Sequence, residues 1–240
     1  MALIKICGIT NLDDLFLVDK FSPDFVGFVM YPPSPRYAGE RLSELLSTPT
    51  KAKKVVVFVN PTYEEVREAL NLGADFVQLH GNEDLSLAKK IGMERVIKAF
   101  RVKDDFRLKE LKPFIQAFAL LLDAYDEKAF GGTGKTFNWE IAKEAVKMGY
   151  RIFLAGGLNP ENVAVAIKEV NPFGVDLASG LELYPGKKDP QKVEKLFAVV
   201  KGMNHPFSLL SSAYAKPAST TAGATSSKTK SRCPKDPRKG

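Results

Sequence analysis

The sequence predicts an α/β protein, a single (β/α)8 barrel over residues 1–202, followed by a basic tail over residues 203–240. Three observations point there. Eight short runs rich in Val, Ile, Leu and Phe recur along the chain. Most are continuously apolar, as strands of a parallel sheet covered on both faces must be. The segments between them carry helix start and stop signals. Barrels of this class take about 250 residues, so eight units in about 200 make a compact example. An open doubly wound sheet is the alternative, but no G-x-G-x-x-G follows any of the strands, which removes the commonest reason to prefer it.

The strands read, in order, as LIKIC from Leu3, FVGFVM from Phe25, VVVFV from Val55, FVQLH from Phe76, RVIKAF from Arg95, FALLLD from Phe118, IFLAG from Ile152 and VDLAS from Val175. Each is expected to lead into a helix. Thr10 with Asp13 three residues on has the form of an N-cap with its acidic partner. Asn60-Pro61, Asn159-Pro160 and Asp189-Pro190 each pair a capping residue with proline at the first helical position. The segment opening at Asn138 places Trp139, Ala142, Ala145 and Val146 on one face before Gly149. In the last helix Val193, Leu196, Phe197 and Val200 keep i, i+3, i+4, i+7 spacing, and Gly202 stands where a C-terminal glycine cap belongs.

Beyond Gly202 the periodicity stops. Residues 203–240 hold seven Lys and Arg against Asp236, which leaves 28 basic and 27 acidic residues in 1–202. The body is therefore close to neutral, and no nucleic-acid partner is expected for the barrel. The Ser/Thr/Ala/Lys/Pro composition of the tail buries too little apolar surface to offset ordering entropy, so it is read as disordered. A solvated extension is the simpler reading of its charge, with polyanion binding as the alternative. The two cysteines, Cys7 and Cys233, are too few for a disulfide framework and too far apart in sequence for a zinc site. Residues 1–7 form a short strand containing Lys5, without the basic and long apolar regions of a signal peptide. No apolar run reaches membrane-spanning length. A cytoplasmic protein, monomer or homodimer, without a membrane partner is expected.

The stretch GGTGKTF at 131–137 resembles a phosphate-binding loop only at its GKT end. The required first glycine falls on Ala129, and the nearest strand ends at Asp123, so strand and loop are not adjacent. In a (β/α)8 barrel the active site lies at the C-terminal ends of the strands. The candidates there are Cys7 after the first strand, Arg36 after the second, His80 after the fourth and Asp123 after the sixth. Gly156 and Gly157 follow the seventh, and Asp176, Ser179 and Gly180 lie at the eighth. The glycine pair with the Ser179-Gly180 turn is a candidate phosphate cradle, in which backbone N–H groups approach an anion; the same glycines also serve as plain turns. A carboxylate ending an apolar run, as Asp123 does, has its pKa raised if unpaired and then suits a general acid; a salt bridge or helix cap is the alternative. Cys7 by itself is weak evidence, since a cysteine ending a strand is more often a small buried hydrophobe than a reactant. His80 fits an acid, a base, a phosphate partner or a hydrogen-bonded rim residue.

Taken together, KICGIT (5–10), PSPRY (33–37), FVN (58–60), VQLHG (77–81), LLLD (120–123), GGTGKTF (131–137), GGLNPENV (156–163) and VDLASGLE (175–182) closely resemble the phosphoribosylanthranilate isomerase family of tryptophan biosynthesis. The resemblance covers about residues 2–202. It implies a cofactor-free Amadori rearrangement of a small phosphorylated substrate. By that likeness Asp123 is the general acid, Cys7 as thiolate is the general base, Arg36 pairs with the anthranilate carboxylate, and the two glycine turns take the phosphate. Lys5 and Asp176 are the neighbours of Cys7 in this layout, either of which is a candidate to tune it, and 131–137 becomes a loop closing over substrate. The family commonly has two serines before the last glycine, whereas here the first is Ala178. Other phosphate-binding barrels use lysine with glutamate, or two aspartates, where this chain has Cys7; a catalytically silent, metabolite-binding barrel is the rival from another class.

Overall fold

A computed structural model of the chain describes residues 2–103, 105–124 and 139–203. Eight parallel strands close into a barrel in chain order: β1 (Leu3–Cys7), β2 (Phe25–Val29), β3 (Lys53–Phe58), β4 (Phe76–Leu79), β5 (Val96–Val102), β6 (Ala119–Ala124), β7 (Ile152–Leu154) and β8 (Gly174–Leu177). All eight runs read from the sequence are strands. Closure is made by β8 on β1, with Leu3 opposite Gly174 and Lys5 opposite Asp176.

Side chains in a strand alternate between faces, and this alternation separates two apolar clusters. Ile4, Ile6, Val26, Phe28, Val56 and Phe58 face outward, where helices cover them. Phe25, Val55, Ile97, Ala99, Ala119, Leu121 and Phe153 fill the barrel, with Leu3, Phe76, Phe118 and Phe173 packed against them. The N-terminal end is closed by aromatic rings, including Phe76–Phe118 at 4.3 Å and Phe25–Phe153 at 5.5 Å between centroids. Burial of the Phe25 and Phe153 rings contributes about 1.5–3 kcal/mol each. Toward the other end the inward series turns polar: Leu3, Lys5, Cys7 on β1; Phe76, Gln78, His80 along β4; Ala119, Leu121, Asp123 on β6; Gly174, Asp176, Ala178 along β8. The fold thus stands on an apolar floor and opens into a polar mouth.

The outer layer contains α1 (Leu12–Asp19), α2 (Leu42–Ser47), α3 (Tyr63–Asn71), α4 (Leu85–Ile91), α5 (Glu140–Lys147), α6 (Val163–Val170) and α7 (Pro190–Gly202). After β5 the expected α-helix is replaced by a 3-10 helix, Leu108–Phe114, with Pro113 inside it, a residue that denies an α-helix one of its backbone donors. Asp189-Pro190 caps α7 as read, with Asp189 accepting from the Gln191 and Lys192 N–H groups. Three other helix starts lie further along the chain. Asn11, not Thr10, caps α1, because Thr10 donates its hydroxyl to the Gly186 carbonyl. Thr62 caps α3 through a capping box with Glu65, while Asn60 is left-handed at φ 50° and its side chain accepts from the Asn82 N–H. Asn159 accepts from the N–H groups of Glu161 and Asn162 in a turn that precedes α6. Gly202 ends α7 from within, and Met203 is its cap. Asn138, the expected start of α5, lies outside the described residues, but Ala142 and Ala145 face the core as read and Gly149 follows at φ 87°. An unforeseen hairpin, β9 (Glu182–Tyr184) with β10 (Lys187–Lys188), fills the loop between β8 and α7. The tail beyond Met203 lies outside the described residues. Among the described residues no helix is long and apolar enough to cross a membrane.

Candidate active site

A pocket of about 680 Å³, its open mouth included, lies at the C-terminal end of the barrel. Cys7, Arg36, His80, Asp123, Gly156, Gly157, Asp176 and Ser179 all line it. Gly180 stands behind Ser179 instead. A Cβ added there would lie 2.0 Å from the Leu158 carbonyl oxygen, so only glycine lets the loops after β7 and β8 approach so closely. Gly156 and Gly157 hold φ of 85° and 66°, a region other residues rarely adopt. The stretch 131–137, read as a closing loop, lies outside the described residues.

Cys7 ends β1 facing inward and is 7% exposed. Its register partner on β2 is Gly27, and a Cβ on Gly27 would lie 2.7 Å from the Cys7 Sγ. Glycine at that point makes the space the thiol occupies. One inward step below, Lys5 is fully buried and donates to Asp176 Oδ2 at 2.8 Å. Burial pushes the Cys7 thiol up; Asp176 pushes the same way, while Lys5 and Lys188 pull it down without reversing the balance. Burial works against the Lys5 charge, but Asp176 and Cys7 outweigh it and raise Lys5 above its ordinary value. Unliganded Cys7 therefore rests as a thiol at neutral pH, next to two cations that favour its ionisation.

Asp123 is 3% exposed on β6 and has a neighbour: its Oδ2 lies 3.3 Å from His80 Nε2. The imidazole is held from the other side, with Gln78 Nε2 2.9 Å from His80 Nδ1. The chain around His80 is pinned by Lys98, whose ammonium donates to the carbonyls of Leu79 and Gly81 and to Glu83. Glu83 in turn accepts from the Gly81 and Asn60 N–H groups. The platform that carries His80 is thus tied on both flanks.

Arg36 does not present an unused fork. Its Nε and Nη2 donate to both oxygens of Glu182, at 2.8 Å and 2.6 Å for the shorter pair. Glu182 also accepts from Lys188, which is fully buried and donates to the Cys7 carbonyl at 2.7 Å. Burial would raise Glu182, yet Arg36 and Lys188 hold it below the usual carboxylate range. Lys188 is itself lowered by burial against the opposing pull of Glu182. Gly8, at φ 78°, leaves room for the Arg36 side chain, since a Cβ there would meet Arg36 Cδ at 2.7 Å. Around Cys7 the cations Lys5, Lys188 and Arg36 face the anions Asp176 and Glu182, so a thiolate would neutralise the cluster.

Gln78, Gly27, Glu182 and Lys188 were not singled out in the sequence. Gln78 was within reach, because it shares the inward parity of His80 two residues away; Gly27 needed the β1–β2 register, and Glu182 with Lys188 needed the unforeseen hairpin. Among the described residues no group of three or more His, Cys, Asp or Glu side chains is arranged to hold a metal ion.

Residues 4–199 match the family model of N-(5'-phosphoribosyl)anthranilate isomerase. The chain is 47% identical to the protein of that name from Aquifex aeolicus over 204 residues, covering 84% of this chain and 99% of the relative. The crystal structure of phosphoribosyl anthranilate isomerase from Thermotoga maritima superposes with a TM-score of 0.76 at 37% identity, over 84% of this chain and all of that one. A further isomerase structure, in complex with reduced 1-(o-carboxyphenylamino)-1-deoxyribulose 5-phosphate, matches with a TM-score of 0.71 at 34% identity over 84% of this chain and all of that one.

Proposed function

The chain belongs to the N-(5'-phosphoribosyl)anthranilate isomerase family and is an isomerase of tryptophan biosynthesis, and on that premise we propose that it works by general acid and base catalysis between Asp123 and Cys7. The observation that carries this reading is that one pocket at the barrel mouth takes both groups, one from β1 and one from β6. Asp123 gives a proton to the ribose ring oxygen, and the ring opens to a Schiff base. The Cys7 thiolate takes the proton from C2, leaving an enolamine. Its C2 hydroxyl then loses a proton while C1 gains one, giving the 1-deoxyribulose 5-phosphate product. Two proton losses match two gains, so nothing is oxidised overall and no redox cofactor is required.

His80 supports the role of Asp123 by its position beside the carboxyl, 3.3 Å from Oδ2. Lys5 and Lys188 support ionisation of Cys7, which must occur against the burial that favours the thiol. Arg36 keeps one edge of its guanidinium on Glu182, which orients the other edge for the substrate carboxylate. The backbone at Gly156, Gly157, Ser179 and Gly180 takes the phosphate, and Ala178 forgoes one hydroxyl contact. The tail is proposed to have no part in catalysis, and the protein to be a cytoplasmic monomer or homodimer.

The test is restoration of growth to a tryptophan auxotroph lacking this isomerase step, with loss of substrate fluorescence on adding purified protein as the direct assay. Cys7→Ala and Asp123→Asn are each expected to lower kcat by about 10²–10⁴-fold. Activity that survives both would refute the assigned roles.

A further inference from the structure

Side chains of the pocket wall hold hydrogen-bonding capacity that no partner among the described residues uses. Gln78 lies on β4, faces the barrel interior and is 1% exposed. Its Nε2 is the atom facing His80 Nδ1, 2.9 Å away. An amide nitrogen only donates, so Nδ1 is the acceptor and the ring carries its proton on Nε2, the nitrogen beside Asp123. The opposite amide orientation with a neutral ring would move the proton to Nδ1 and leave a bare Nε2 against a carboxylate, two acceptors in contact. With a neutral imidazole the Gln78 amide is therefore held by its nitrogen end. Its carbonyl, Oε1, is buried without a hydrogen-bond partner among the described residues.

A buried carbonyl left unsatisfied costs about 1–3 kcal/mol, and such an atom in a native protein calls for an explanation. Its place supplies one. The residue lines the same pocket as Cys7 and Asp123, and Asp176 Oδ1 on that pocket's wall is a second buried oxygen without a partner. These two atoms are acceptors, and His80 Nε2, buried in the same pocket, also lacks a hydrogen-bond partner among the described residues and is a donor in this tautomer, so the complementary ligand must bring groups that both donate and accept, as hydroxyls do. The aromatic carboxylate and the phosphate of the substrate offer acceptors. Its sugar offers hydroxyl donors.

We propose that Gln78 is a substrate-binding residue whose carbonyl accepts a hydrogen bond from a ribose hydroxyl of the substrate, while its amide nitrogen holds His80 toward Asp123. The assignment rests on the isomerase reading above. It makes Gln78 a reader of the sugar rather than of either charged end. Gly180, the loops after β7 and β8, and Arg36 serve those ends and do not depend on it.

The test uses the full chain and two probes, the reduced 1-(o-carboxyphenylamino)-1-deoxyribulose 5-phosphate, which carries hydroxyls, and inorganic phosphate, which lacks the sugar. Calorimetric titration of Gln78→Met, nearly isosteric and without polar atoms, is expected to show the sugar probe weakened by about tenfold, the value of one hydrogen bond of about 1.4 kcal/mol, with phosphate binding unchanged. Gln78→Glu, which restores an acceptor but faces His80 Nδ1 with a second one, is expected to bind the sugar probe more tightly than Gln78→Met and more weakly than the parent. Equal weakening of both probes, or no weakening of the sugar probe in Gln78→Met, overturns the proposal while leaving the isomerase reading intact. A parent protein that turns over no substrate and binds no sugar probe sinks both.

Discussion

The Lys5–Asp176 pair inside the barrel allows a quantitative test of how the site is held. The Lys5 ammonium and Asp176 Oδ2 are 2.8 Å apart, with side-chain exposures of 0% and 8%. At an effective dielectric constant of about 20 that separation corresponds to about 6 kcal/mol of attraction, most of it offset by the desolvation of both ions. Lys5→Met therefore leaves a buried carboxylate without its counter-ion. Breaking such a pair costs about 3–5 kcal/mol. The expected destabilisation is about 3–5 kcal/mol at pH 7, read as the change in urea-unfolding free energy by far-ultraviolet circular dichroism. Lys5→Met/Asp176→Leu, which removes both charges, should recover at least about 2 kcal/mol of it. A single variant within about 1 kcal/mol of the parent, or a double variant showing simple additivity, would mean that the pair is hydrated and does not tune Cys7 through a dry interior.

Gly27→Ala places a methyl group 2.7 Å from the Cys7 Sγ, so the thiol must move; kcat/KM is expected to fall by about tenfold or more, and an unchanged value in steady-state kinetics would contradict the packing. The folded pKa values of Cys7 and Lys5 are both raised. Groups shifted upward stabilise the fold below their unfolded values and lose that contribution as pH climbs through the folded ones. Unfolding free energy should hold steady up to about pH 9 and decline above it, with a smaller decline in Cys7→Ser; a flat profile to pH 11 would count against both shifts. Over the same range, kcat/KM should rise as the thiolate fraction grows, until unfolding intervenes. Removal of residues beyond Gly202 should leave turnover unchanged in the fluorescence assay, and a large drop would show that the tail contributes to the barrel's function.

The strands were legible in the sequence because burial on both faces of a parallel barrel demands continuous Val, Ile, Leu and Phe, a demand that is local and survives in one dimension. Asp189-Pro190 was legible for the same reason, since a capping side chain and a proline act on the next turn only. Thr10, Asn60 and Asn159 misled because their side chains bond to partners chosen by the tertiary fold or by a preceding turn, and capping preference alone does not reveal which bond wins. The residues Cys7, His80 and Asp123 could be placed at strand ends, and Arg36 in the loop after the second strand, from periodicity alone, with the motifs supplying their assigned chemistry.

What no local pattern held was the second partner of each group. Lys5 meets Asp176 across the closure of the first and last strands, Cys7 fits against Gly27 through register, and Arg36 turns onto Glu182 because an unforeseen hairpin brings that carboxylate back over the barrel mouth. Those contacts join positions as far apart as 171 residues in the chain. Sequence alone therefore determined that this protein is a barrel with a thiol and a carboxyl at its strand ends. The tertiary structure decided the charges, donors and open spaces around them, because electrostatics and packing depend on distance in space.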